Sequence, residues 1–335
     1  MANLSSHTPI YVRTTGDDTT GDGSLSAPFA TAQKAWDVAI ATPSGDYVLD
    51  FGAGSFGGVT LTQDWPSRIA VRGAGATQSL LGGISGVGAD QVFDWTEYVE
   101  ISPVGSGFNV SLISDRTVDI GGVTTSAGLL FGPLADYNAA PKGGDVSLAD
   151  CKSGSVVAGS VPWMVIGGTV SLTGCESGAV TSIGGGGWPS GAVSLVNSTA
   201  GLIDVSSLGG SGGSVTLTDS VAGDIASEPI YTGGSSGGSV SLLRSECGLI
   251  NVRGAKASSG QNGGSGGSVS MIDSRSGDIA ANGGDNSEGG TLGPGGAVYL
   301  AGSTIIPNSI LAGSVSTVDL QKGRGVNGSS ILGIA

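Results

Sequence analysis

The stretch GSVTLTDSVAGDIA at residues 213–226 returns, with its punctuation intact, as GSVSLLRSECGLIN at 238–251 and as GSVSMIDSRSGDIA at 267–280. Each copy opens with small residues, then alternates a spacer with two large apolar side chains, which reads as a short strand with one buried face. The same element occurs seven times. Its anchor pairs are Val146 and Leu148, Val170 and Leu172, Val193 and Leu195, Val215 and Leu217, Val240 and Leu242, Val269 and Met271, and Val298 and Leu300.

Eight residues beyond each of the first six anchor valines stands a glycine: Gly154, Gly178, Gly201, Gly223, Gly248 and Gly277. Two residues later comes a β-branched side chain each time: Val156, Val180, Ile203, Ile225, Ile250 and Ile279. The anchors are 24, 23, 22, 25, 29 and 29 residues apart, so all variation in length falls in the Gly/Ser-rich remainder. Two constant walls and one variable side are the mark of a parallel β-solenoid, and the glycine is expected to supply φ > 0 at the turn between the walls.

Stacking makes a prediction within the sequence, because equivalent positions of successive repeats lie about 4.8 Å apart, where like charges repel. Four residues past the anchor, Asp219, Arg244 and Asp273 alternate in sign; six past it, Lys152 faces Glu176 and Glu246 faces Arg275. The simplest role for these charges is a solvated ladder rather than catalysis. Five past the anchor the residues are small throughout: Cys151, Cys175, Ser198, Ser220, Ser245, Ser274 and Ser303. Cys151 and Cys175 are expected to lie close enough to bridge, and a cytosolic origin favours reduced, packed thiols.

Composition agrees with a narrow apolar interior. Glycine contributes 64 of 335 residues and aromatics only 5%, while Val, Leu, Ile and Ala supply most of the 39% hydrophobic fraction. Thirteen basic residues against 27 acidic ones give a formal charge of −14, which repels a phosphate backbone and excludes nucleic acid as the expected partner. A single histidine, His7, and three cysteines without ligand spacing predict no metal site, and no cofactor is expected. The start lacks a signal-peptide pattern and no apolar run reaches about 18 residues, so synthesis in the cytosol without membrane insertion is expected.

Residues 1–45 are read as an N-terminal strand, turn and capping helix; 46–142 as irregular opening coils; 143–306 as the regular Gly-rich array; and 307–335 as a closing segment. Strand-like pieces within 46–142 begin at Tyr47, Val59, Ile69, Val99 and Val110. In the helix, Phe29, Ala32, Ala35, Trp36 and Ala39 can share one face. The helix covers one open end of the stack, and the apolar tail Ile331 to Ala335 closes the other or docks on a neighbouring subunit.

The opening Ile10-Tyr11-Val12, the Gly/Asp/Thr turn from Thr14 to Gly23, and Pro28, Phe29, Thr31, Gln33, Lys34 and Ala35 carry a resemblance. They are similar to the start of pectate-lyase-like right-handed β-helix proteins, among them bacteriophage tail spikes and tail fibres. The resemblance spans about the first 40 residues. It implies an all-β, right-handed parallel β-helix with a short N-terminal capping helix, and a homotrimer.

The expected function is that of a structural and adhesive virion protein, a tail fibre, tail spike or capsid spike. It is assembled in the host cytoplasm, exposed on the particle beside other virion proteins, and contacts a host surface polysaccharide or receptor. The alternative is a polysaccharide-degrading β-helix enzyme, a lyase or glycoside hydrolase; a third class is a cell-surface or ice-facing scaffold. Glycoside hydrolysis needs two carboxylates roughly 5 to 9.5 Å apart. Asp224 and Asp278 share a column two repeats apart, with Asp204 one repeat below Asp224, though an aspartate after a corner glycine needs no catalytic role. Asp94, Glu97 and Glu100, interleaved with Trp95 and Tyr98, form a second acidic group. Glycan binding is assigned instead to Trp163, Trp188 and Tyr231 in the variable segments, where they either stack on sugar rings or pack the insertions down. The glycine tracts at 184–187, 209–213, 233–238 and 263–267 are the other candidate surface. Gly283-Gly284-Asp285-Asn286 lacks the nonapeptide period of a calcium-binding β-roll, so calcium is not required.

Overall fold

The computed structural model describes residues 6–63, 68–74, 79–81, 84–86, 91–97, 100–101, 104–106, 110–114, 119–125, 145–158, 166–230, 234–257, 261–285, 291–306, 309–311, 318–321 and 330–331, with backbone alone at 80, 85–86, 91–125 and from 309 onward. Among these residues the fold is all-β apart from one helix, and every described strand pairing is parallel. The chain divides into two compact units. The first holds residues 1–128, 144–156 and 173–176; the second holds 129–143, 157–172 and 177–335.

In the first unit one sheet runs in the order Thr8–Val12, Tyr47–Phe51, Ile69–Arg72, Gln91–Glu97, Val110–Ser114, Val146–Ala149. Tyr47–Phe51, Val59–Leu61, Ile69–Arg72 and Val110–Ser114 each start where the alternation predicts, and Glu100–Ile101 covers the described part of the fifth piece. Thr8–Val12 is the edge strand, and its outward groups do not face water unpaired. Tyr11 N–H donates to Gly23 O, Phe29 N–H to Tyr11 O and Arg13 N–H to Phe29 O, so the Gly/Asp turn covers the edge. Asp18 ties that turn to the helix Ala32–Ala41 by accepting from the Ala30 and Thr31 N–H groups and from Thr31 Oγ1. Burial opposes its charge, but those hydrogen bonds outweigh burial and hold its pKa below the ordinary carboxylate value. Thr31 caps the helix, accepting from Lys34 N–H, and Phe29, Ala32, Ala35, Trp36 and Ala39 are all buried, as the spacing predicts. Asp50 joins the first three strands through salt bridges to Arg13 and Arg72.

In the second unit the repeat register holds residue for residue. Val193, Val215, Val240, Val269 and Val298 pair in succession, and so do Leu195, Leu217, Leu242, Met271 and Leu300. Val180, Ile203, Ile225, Ile250 and Ile279 form the facing row. All these side chains are at most 6% exposed, and each contributes about 1.5–3 kcal/mol by leaving water.

The small column five past the anchor is a hydrogen-bonded serine ladder. Ser198, Ser220, Ser245 and Ser274 each donate a backbone N–H to the hydroxyl of the next serine, every time at 3.1 Å. Each hydroxyl in turn donates to the carbonyl two residues before it, at 2.7 to 3.0 Å. Both functions of a buried hydroxyl are thereby used. Replacing Ser245 with alanine is expected to cost about 1–3 kcal/mol, because the buried Ser220 N–H loses its acceptor. Ser245→Cys should lose less, and denaturant midpoints of the two variants measure the difference.

The corner differs from expectation. None of Gly178, Gly201, Gly223, Gly248 and Gly277 is left-handed. Gly201, Gly223 and Gly277 lie against the preceding repeat's backbone: Gly223 N–H donates to Gly201 O at 2.9 Å, and a Cβ on Gly277 would stand 3.0 Å from the Gly248 carbonyl carbon; a Cβ on Gly248 would meet the Asp224 carboxylate instead. The left-handed residues are those four past the anchor, with φ of 48 to 65°: Asp150 and Gly174 in the first unit, then Asn197, Asp219, Arg244, Asp273 and Gly302 in the second. Asp, Asn and Gly tolerate this region, and Arg244 is the one residue that ordinarily avoids it.

Candidate functional site

Of the four oppositely charged pairs along the corner columns, three are direct ion pairs. Lys152 meets Glu176 at 3.1 Å in the first unit; in the second, Arg275 meets Glu246 at 3.7 Å and Arg244 grips Asp219 through two 2.6 Å hydrogen bonds. The bidentate Arg244 bonds, with its charge, hold the Asp219 carboxyl below its ordinary pKa. Arg244 turns to Asp219 rather than Asp273, and the fork fixes a side chain whose backbone is in the left-handed region. Together Asp219, Arg244, Glu246, Asp273, Arg275 and Thr304 line an open groove of about 550 Å³. The alternating signs were readable in the chain; that they share one groove follows from the corner geometry.

Asp224 and Asp278 keep the shared column that their spacing predicts, two repeats apart, and Asp204 falls outside it. Asp204 pairs in register with Thr181 and Ala226, a different column from Asp224, and it accepts from Ser206 N–H at 2.9 Å in a local turn. It stands one repeat below Asp224 in the chain but two residues further along its strand. Asp224 is exposed, and its Oδ1 accepts from Leu249 N–H at 2.8 Å. Leu249 stands in the repeat between Asp224 and Asp278, so the backbone bond ties Asp224 to its neighbour as a structural corner residue. Asp278 is half-buried, and its backbone carbonyl accepts from Ile250 N–H.

Trp188 is half-buried, with its carbonyl accepting from Ser207 Oγ at 2.7 Å. Trp163 and Tyr231 lie outside the described residues, as do Tyr98 and the side chains of Asp94, Trp95, Glu97 and Glu100.

In the second unit the glycines of successive repeats line an open groove of about 840 Å³ whose floor includes Gly191, Gly213, Gly238, Gly267 and Gly296. A Cβ on any of these five would lie within 2.0 Å of a backbone oxygen of the preceding repeat. Four of their N–H groups are used within the repeat: Gly213, Gly238, Gly267 and Gly296 donate to the carbonyls of Val205, Ser227, Val252 and Ala281. The tracts pack side by side beyond the groove as well, with Gly284 N–H donating to Gly264 O and Gly264 N–H to Ala255 O. Gly283 and Gly284 belong to this glycine packing, and no group of three potential metal-binding side chains occurs among the described residues. Nor, among them, is any helix long and apolar enough to cross a membrane. No family model matches the chain, and neither a curated protein nor a solved structure matches it.

Proposed function

We propose that the chain winds as a right-handed parallel β-helix and serves as a structural and adhesive virion protein, a tail fibre, tail spike or capsid spike that contacts the host surface. The observation that carries this reading is the redundancy of the axial ladders. In the second unit the same repeat-to-repeat contacts recur through valine, leucine, serine and glycine columns, so the sequence is devoted to holding neighbouring repeats rigidly in line. Two of the three acidic candidates, Asp204 and Asp224, are engaged by backbone N–H groups, which favours an architectural role for them. The resemblance of residues 10–36 to phage β-helix proteins supports the same reading and brings with it the homotrimer. The surfaces offered to a host glycan are the backbone-lined glycine groove and the charged corner groove.

Immunogold labelling of particles released by producing cells, together with binding of the purified protein to a panel of capsular and O-antigen polysaccharides, tests this proposal. Label on the particle and glycan binding without cleavage are the expected results. Absence from the particle overturns the virion assignment. Release of reducing ends that disappears in Asp224→Asn replaces the adhesive reading with the enzymatic one.

A further inference from the structure

The column that is serine in the second unit is cysteine in the first, and there its chemistry changes. Cys151 and Cys175 are both buried, with their Sγ atoms 3.7 Å apart. They face each other at the corners of neighbouring repeats, where Glu176 N–H donates to Cys151 O at 3.0 Å and Asp150 N–H to Thr173 O at 2.8 Å. The adjacent-strand spacing of about 4.8 Å falls inside the range of roughly 4.4–6.8 Å that a disulfide spans between Cα atoms. Closing the sulfurs to about 2.05 Å therefore needs side-chain rotation and no movement of the backbone.

We propose that Cys151 and Cys175 are an oxidation site at which hydrogen peroxide forms a disulfide joining two neighbouring repeats. The Cys175 thiolate attacks a peroxide oxygen, the O–O bond breaks, and the departing hydroxide takes up a proton to become water. The Cys151 sulfur then attacks the resulting sulfenic sulfur; the S–O bond breaks, and hydroxide leaves with the Cys151 proton as a second water. Two thiols lose two electrons to one peroxide, giving one disulfide and two waters.

The surroundings favour this order of attack. The Cys151 thiol and N–H hydrogen-bond the Cys175 sulfur, and together with Thr173 they lower its pKa against the opposing effects of burial and the Asp150 charge. Cys247 provides the contrast: burial, with Asp224 and Glu246 nearby, pushes its thiol up to about 12. This proposal does not depend on the virion assignment.

The test uses the full-length protein, purified in reductant, exchanged into buffer and treated with hydrogen peroxide, then alkylated under denaturing conditions and digested with trypsin. Fragments 143–152 and 153–244 should appear joined, two hydrogens lighter than their sum and separable by reductant, with Cys247 alkylated. The joined form should melt about 5 °C higher than the reduced form. Cys151→Ser should leave a sulfenic acid at Cys175 that dimedone traps, and Cys247→Ser should bridge like the parent protein. Full alkylation of Cys151 and Cys175 after peroxide, sulfinic acid at Cys175 without a bridge, or loss of bridging in Cys247→Ser would each overturn the assignment. If Cys151→Ser fails to fold by circular dichroism, the parent and Cys247→Ser digests decide the question alone.

Discussion

Gly267→Ala is expected to lower stability by at least about 3 kcal/mol, large for the addition of one methyl group. The new Cβ would sit 1.9 Å from Gly238 O and 2.9 Å from the Gly237 carbonyl carbon, both of them backbone atoms. A flexible side chain could swing aside; this carbonyl cannot, because Ser268 N–H is bonded to it at 3.1 Å. The same obstacle recurs below, where a Cβ on Gly238 meets Gly213 O at 1.9 Å, so relief at one level compresses the next. Gly57→Ala is the matched control: its Cβ meets nothing within 4 Å, and a change within about 0.5 kcal/mol is expected. Equilibrium denaturation of both variants measures the contrast. Equal midpoints would show that the glycine column is not there for close approach.

Trp36→Ala should cost about 3–5 kcal/mol. Trp36 is 1% exposed in a helix that packs on the strands Thr8–Val12, Tyr47–Phe51 and Val59–Leu61. Removing the indole leaves a cavity beneath the segment that covers the edge strand, and the loss should be accompanied by faster proteolysis of the first 45 residues. Trp36→Phe keeps much of the volume and should cost less than about 2 kcal/mol. A Trp36→Ala protein as stable as the parent would refute the covering role of the helix.

The parts of this fold legible in the chain are those that depend on chemistry repeated at a fixed offset. Val215 under Val240, Lys152 beside Glu176 and the buried face containing Trp36 all follow from spacing alone. Glycine points to the position eight past the anchor, because it adopts left-handed backbone without steric cost. The left-handed turn occurs four past the anchor, where Asp150, Asn197, Asp219 and Asp273 are residues known to tolerate that conformation. Arg244 breaks the pattern of residue types, because arginine ordinarily avoids this region. The glycine tracts were visible as tracts, but their cause is contact between residues about 25 apart and appears only once the repeats are stacked. For the candidate site, Asp204 shows the limit: an offset of two residues along a strand moves its carboxylate into another column.

The charged corner also bears on how such a chain can change length over generations. Tandem duplication of a gene segment encoding one repeat would extend the second unit by a single strand spacing and leave every apolar row intact. Doubling the repeat that contains Arg244 would instead place two guanidinium groups in adjacent positions, with one Asp219 on one side and one Asp273 on the other. Pairs of repeats, inserted together, preserve the alternation of sign. Inheritance of length in steps of two is therefore the path of least electrostatic resistance across this part of the molecule.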